Sequence, residues 1–159
     1  MDARETFEGL LAEFNAASGL KAELDEQNAA VLEFGDVIVN LQLLPESGQV
    51  LAWSTLGFLG DDENADIRLA RLLQLNDHLG ENGGFAFSFD PDDTDRVLVH
   101  DFRPLAFLAN ADVLATWIEA LVDLVEQTRV MLDAECPYVD DADLEPLFRE
   151  VKGYGTRRT

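Results

Sequence analysis

Val37-Ile38-Val39-Asn40-Leu41-Gln42-Leu43-Leu44-Pro45-Glu46-Ser47-Gly48-Gln49-Val50-Leu51-Ala52-Trp53-Ser54-Thr55-Leu56-Gly57-Phe58-Leu59 is the stretch that decides the fold. In an extended chain successive side chains point to opposite sides, so Val37, Val39, Leu41 and Leu43 share one face. Ile38, Asn40, Gln42 and Leu44 share the other. Pro45 to Gly48 is turn chemistry, and the chain returns from Gln49 to Leu59 as a second long strand. Working backwards, Gly35-Asp36 joins this pair to an earlier strand, Ala29 to Phe34. Three strands joined by short turns form an antiparallel meander. Further back, Asp25 to Asn28 is a turn and Leu20 to Leu24 alternates weakly enough to suggest a short extra strand.

Helices frame this sheet. From Arg4 to Ser18, Phe7, Leu10, Leu11 and Phe14 recur at i, i+3, i+4 and i+7, with Glu5, Glu8 and Glu13 on the opposite side. Ser18-Gly19 closes that helix. Gly60 to Asn64 breaks the sheet, and a second helix follows from Ala65 to Leu79, apolar over a broad arc. After Gly80 to Gly84, Phe85, Phe87 and Phe89 alternate as an aromatic strand. Asp90 to Asp95 is a hairpin loop, and Arg96 to Phe102 returns. Asn110 or Asp112 caps a last long helix carrying Val113, Leu114, Trp117, Ile118, Leu121, Leu124, Val125, Thr128 and Leu132. Pro137 ends it. The predicted class is therefore α+β: an antiparallel twisted sheet with three main helices, in the order helix, strand meander, helix, β-hairpin, helix. Residues 1–135 form the domain, and residues 136–159 form a C-terminal extension. The extension holds a short amphipathic stretch (Leu144, Leu147, Phe148, Val151) and a basic end.

Eleven Lys and Arg against 32 Asp and Glu give a net charge of −21 over 159 residues. Such a surface repels phosphate backbones and anionic headgroups, which argues against nucleic-acid binding and membrane insertion. It also keeps a chain soluble while apolar surface is exposed for a partner, although solubility alone explains many acidic proteins. From Arg149 onward the balance reverses, with Arg149, Lys152, Arg157 and Arg158 against Glu150 alone. Cys136 is the single cysteine, so no internal disulfide forms. Met1 to Glu5 has no signal-peptide pattern, and no run approaches the ~18 apolar residues of a membrane span. Together these features lead to the expectation of a cytoplasmic protein.

No catalytic constellation emerges. Asp90, Asp92, Asp93 and Asp95 mimic a calcium loop, but the sixth and twelfth positions hold Asp95 and Asp101 rather than Gly and Glu. His78 and His100 lack a second ligand at metal spacing. Cys136, beside Glu135, sits in an acidic neighbourhood that opposes thiolate formation. The expectation is no enzyme, no metal and no cofactor. What stands out is apolar surface on both sheet faces: Ile38 and Leu44 as well as the Val37 series, and Val50, Leu56 and Phe58 as well as Leu51, Trp53 and Leu59. Either every face is buried internally, or one is offered to an extended peptide.

Leu72-Leu73-Gln74-Leu75-Asn76 follows a meander that ends Leu56-Gly57-Phe58-Leu59. Upstream lie the Phe7–Phe14 helix, Gly19-Leu20 and Val31-Leu32-Glu33-Phe34. In order and composition, residues 4 to 133 resemble the class I type III secretion chaperones, the Tir chaperone family. The resemblance implies a bacterial homodimer that binds the N-terminal segment of a secreted effector polypeptide and keeps it secretion-competent. It maps the dimer contact onto Ile67, Leu72, Leu75, Leu79, Phe85 and Phe87. It maps effector contacts onto Phe7, Leu11, Leu32, Phe34, Ile38 and Leu43. The extension departs from the family pattern; it caps a groove, contacts the export ATPase or has no specific role. The competing reading is an interaction or regulatory module that shares the fold without a secretion role.

Overall fold

The computed structural model describes residues 2–78, 80 and 82–139. Helix α1 (Ala3–Ser18) begins where the Asp2 carboxylate accepts the Glu5 N–H at 2.8 Å. It ends at Gly19, whose φ of 76° suits a residue without a Cβ. The stretch 20–24 is not a strand. The Asn15 carboxamide accepts the Ala22 N–H at 2.9 Å and donates to the Ala22 carbonyl at 2.8 Å. These are the groups a ladder would use, so the segment is tied to α1 instead.

Strands β1 (Ala29–Phe34), β2 (Val37–Leu44) and β3 (Gln49–Phe58) form the meander. Helix α2 (Ala65–Asn76), the hairpin β4 (Ala86–Phe89) and β5 (Arg96–Pro104), a 3-10 turn (Leu105–Phe107) and α3 (Ala111–Glu135) follow. The sheet is antiparallel throughout, in the order β1-β2-β3-β5-β4. Helix α2 stops at Asn76 rather than Leu79. There the Asp77 N–H reaches Gln74 O, and the Asn82 side chain donates to Leu75 O at 2.7 Å, as turn residues do. Asn110 caps α3, accepting the Val113 N–H at 3.0 Å.

Helices α1 and α3 lie against one face of the sheet. Phe7, Leu10, Leu11 and Phe14 from α1 and Leu114, Trp117, Ile118, Leu121 and Val125 from α3 meet the Val37, Val39, Leu41 and Leu43 side of β2. Cross-strand register carries that inner face through Val50, Ala52 and Ser54 to Val97, Val99 and Asp101. Trp117 stacks on Phe85 with ring centroids 6.3 Å apart, and its indole N–H donates to Asp101 Oδ2 at 3.0 Å. Between Thr55 and Gly57 the β3–β5 register slips by one residue. Arg129 of α3 donates to the carbonyls of Leu56 (2.8 Å) and Thr55 (3.0 Å) at this bulge, fastening helix to sheet where the ladder is interrupted.

Candidate functional site

The opposite face of the sheet is only partly covered. Register places Ile38 beside Glu33, Asn40 beside Trp53, Trp53 beside His100, and Leu51 beside Phe102. Val31 is 57% exposed, Ile38 49% and Phe102 46%, in a sheet whose inner side chains are almost completely enclosed. Arg96 lies over the Trp53 ring at 5.6 Å, and His100 Nδ1 contacts Ser88 Oγ at 3.1 Å. The surface is thus aromatic and aliphatic at its centre with polar groups interleaved, which suits an amphipathic partner segment.

The two sheet edges differ. On β1, Asn28 O accepts from Leu43 N. With a two-residue period, Ala30, Leu32 and Phe34 therefore bond to β2, while Ala29, Val31 and Glu33 point their main-chain groups outward. Asp25 takes up Ala29, donating its own N–H to the Ala29 carbonyl at 2.8 Å and accepting the Ala29 N–H through its side chain at 2.9 Å. Among the described residues Val31 and Glu33 have no main-chain partner, and the edge carries no Pro or Lys to deter pairing. On β4 the outer edge is blunted. The Asn76 carboxamide accepts the Phe87 N–H at 2.7 Å and donates to the Phe87 carbonyl at 2.9 Å, standing in for a neighbouring strand. Of the two edges, β1 is the one left open to a further strand.

Four of the six residues expected at an effector surface do not present themselves there. Phe7, Leu11, Leu32 and Leu43 are buried in the chain's own core, on the helix-covered parity. Ile38 is exposed on the open face, and Phe34 is partly buried at the end of β1. The signal that separates them was present in the sequence. In β2 the inner parity is wholly apolar, whereas Ile38 and Leu44 share theirs with Asn40 and Gln42. Applied to β1, that rule selects Val31, which the expectation missed; on β3 and β5 both parities carry polar residues, and Leu51, Trp53 and Phe102 are placed on the open face only by the strand register.

The residues expected at a dimer contact divide similarly. Leu72, Phe85 and Phe87 are buried within the chain, Leu75 is partly buried, and Leu79 lies outside the described residues. Ile67 is 53% exposed, and Leu73, not among those expected, is 59% exposed. The outward side of α2 is therefore apolar without being covered.

The inward side of α2 is built around Arg68, only 1% exposed. Its guanidinium donates to the carbonyls of Leu59 (2.8 Å), Cys136 (3.0 Å) and Pro137 (3.1 Å), pairs with the Asp62 carboxylate and lies 3.8 Å from the Tyr138 ring centroid. One planar, permanently charged group thus joins the end of β3, the start of α2 and the end of α3. Burial pushes the Cys136 thiol above its usual range, opposed by Arg68 and reinforced by Glu135. Desolvation, more than the acidic neighbourhood expected from sequence, disfavours the thiolate. In the Asp90–Asp95 loop the carboxylates serve the turn. Asp90 accepts the Asp92 N–H at 2.9 Å, and Asp95 accepts the Gly60 N–H at 2.9 Å. Among the described residues no helix is long and apolar enough to cross a membrane.

The Tir chaperone protein (CesT) family matches residues 9–129. The chain belongs to that family, and with it to the chaperones of type III secretion effectors. Among solved structures it is similar to a chain of the ExsC-ExsE complex, with 25% identity, 88% of this chain and 100% of that one covered, and a TM-score of 0.70. It shares its fold with a chain of the HopA1-SchA chaperone-effector complex (13% identity, 80% and 95% covered, TM-score 0.67). The same holds for a chain of the Yersinia pestis type III secretion chaperone SycH in complex with a stable fragment of YscM2 (22% identity, 77% and 98% covered, TM-score 0.60). A search of curated proteins gave no match.

Proposed function

We propose that this chaperone works in the cytoplasm and holds the N-terminal segment of a secreted effector in extended form. One stretch of the segment adds to the open edge of β1, and the stretch next to it crosses the open face over Val31, Ile38, Leu51, Trp53 and Phe102. The observation that carries this reading is the coincidence of an unpaired edge with an uncovered apolar face on the same side of the sheet. Main-chain bonds at Val31 and Glu33 give affinity without demanding a sequence, and the face supplies the pockets that select one. Holding a segment unfolded costs ordering entropy, which a wide contact of ~1,000–3,000 Å² offsets. The chain acts as a homodimer through the outward side of α2, with Ile67 and Leu73 at the contact. Its role is binding rather than catalysis. No surface among the described residues is assigned to an export ATPase.

The test is capture from the source cell, with the bound protein identified by mass spectrometry. Wild type is expected to retain a secreted protein through its N-terminal region and to elute at the mass of two chains. Ile38→Asp with Phe102→Asp is expected to lose the captured protein while keeping the wild-type circular dichroism spectrum. Undiminished capture by that folded variant overturns the assignment of the surface.

A further inference from the structure

Beside α2 a cavity of about 220 Å³ opens between the end of β3 and the last turns of α3, walled by Leu56, Phe58, Leu72, Val97, Leu132 and Tyr138. Its walls are apolar, and the Arg68 guanidinium in its lining is fully engaged with three carbonyls and Asp62. The site therefore calls for an apolar occupant rather than an anion. We propose that this groove is the docking site of the chain's own C-terminal segment, with Leu144, Leu147, Phe148 and Val151 as the buried side.

Two observations select that occupant. The described chain ends at the mouth of the groove: Tyr138 forms part of the wall, and the Val139 N–H reaches Asp62 at 3.4 Å. Leu144 is five residues further on, within ~17 Å even for a fully extended chain, so the segment reaches the groove without a spacer. Second, Leu144, Leu147, Phe148 and Val151 recur at i, i+3, i+4 and i+7, the spacing that puts four apolar side chains on one helical stripe. This inference does not depend on the effector surface, since the groove lies at the end of the sheet and its test needs no partner.

The experiment uses the full chain with one reporter thiol, Asp133→Cys, at the groove, and a second preparation with Glu46→Cys in the β2–β3 turn at the opposite end of β3. Labelling by a maleimide is followed by peptide mass spectrometry, alone and with Leu147→Asp and Phe148→Asp added. The reporter at position 133 is expected to react about tenfold faster when the two aspartates are present, equivalent to ~1.4 kcal/mol of docking. The reporter at position 46 is expected to be unaffected. Equal labelling in all backgrounds overturns the proposal. Protection that grows with protein concentration also overturns it in favour of a second copy. Protection that appears only when the captured effector is added assigns the groove to the effector and overturns it as well.

Discussion

Val39 and Ile38 are adjacent in β2, yet the structure assigns them to opposite faces, and the contrast between Val39→Asp and Ile38→Asp isolates the central claim. Val39 is 0% exposed and faces α1 and α3. Replacing it removes a fully buried aliphatic side chain, about 1.5–3 kcal/mol of burial. It also places a carboxyl group among apolar neighbours, which adds about 1–3 kcal/mol even when the group takes up a proton. The sum, about 2.5–6 kcal/mol, is comparable with the whole stability of an ordinary domain, roughly 5–15 kcal/mol. Ile38 is 49% exposed, so its aspartate stays in water and the expected stability change is within about 1 kcal/mol. Urea denaturation followed by circular dichroism reads both, provided the slopes agree. Val39→Asp is expected to be unfolded or to melt at far lower urea. Ile38→Asp is expected to keep the wild-type midpoint and lose the captured effector. If Ile38→Asp destabilises the isolated chain as much as Val39→Asp does, the outer face is internally covered and the argument for an open surface fails.

Arg68→Met is expected to cost about 3–5 kcal/mol, because it leaves the buried Asp62 carboxylate unpaired and strips the carbonyls of Leu59, Cys136 and Pro137 of their donor. Thermal melting should fall by roughly 6–20 °C, and an unchanged melting temperature would show that the hub is not structural. Asn76→Ala removes both main-chain contacts at the β4 edge and should cost about 1–3 kcal/mol. It should also speed hydrogen exchange at Phe87, while exchange at Val31 stays as it was. For Cys136 the folded state raises the thiol pKa, so the folded chain holds its proton where the unfolded chain has released it. Stability from this group is intact below the ordinary thiol pKa and declines as pH rises from that value through the folded one. Cys136→Ala should flatten this alkaline decline in a series of urea midpoints; an identical decline would assign it to other groups, Tyr138 among them.

The parts of the fold legible in sequence were those set by a single period. Phe7, Leu10, Leu11 and Phe14 fell on one helical stripe, and Val37, Val39, Leu41 and Leu43 on one strand parity; both are buried as their spacing implies. What period alone does not give is which apolar parity meets a helix and which meets water. That is a property of layers, settled only when α1 and α3 are placed on one side. Leu32 and Leu43 were therefore assigned outward when they face inward. Arg68 was illegible for a different reason. A basic residue between Ile67 and Leu69 reads as the polar side of a helix, yet it is buried here because the carbonyl of Leu59 and the carboxylate of Asp62, before the helix, converge on it with the carbonyls of Cys136 and Pro137, far along the chain. The role of Asn76 was equally hidden, since its partner is the main chain of a strand eleven residues away.

An open strand edge beside an apolar face is ordinarily a route to aggregation, and natural sheets guard against it with Lys, Pro or bulges placed on the edge itself. The β1 edge has none of these, and the bulge that exists lies on the far side of β3, between Thr55 and Gly57. Protection of another kind is spread over the whole molecule. Two copies approaching edge to edge each bring a net charge of −21, so their encounter is opposed over about 8–10 Å at moderate ionic strength. A foreign segment of lower or opposite charge meets no such barrier. On the proposed reading, the acidic composition disfavours pairing of this edge with a second copy, the apolar side of α2 being where burial offsets the same repulsion, and it leaves the edge free for a different polypeptide. A Lys or Pro on β1 would have blocked both. If the client is held by strand addition as proposed, the charge and the open edge are one device, and neither alone would serve.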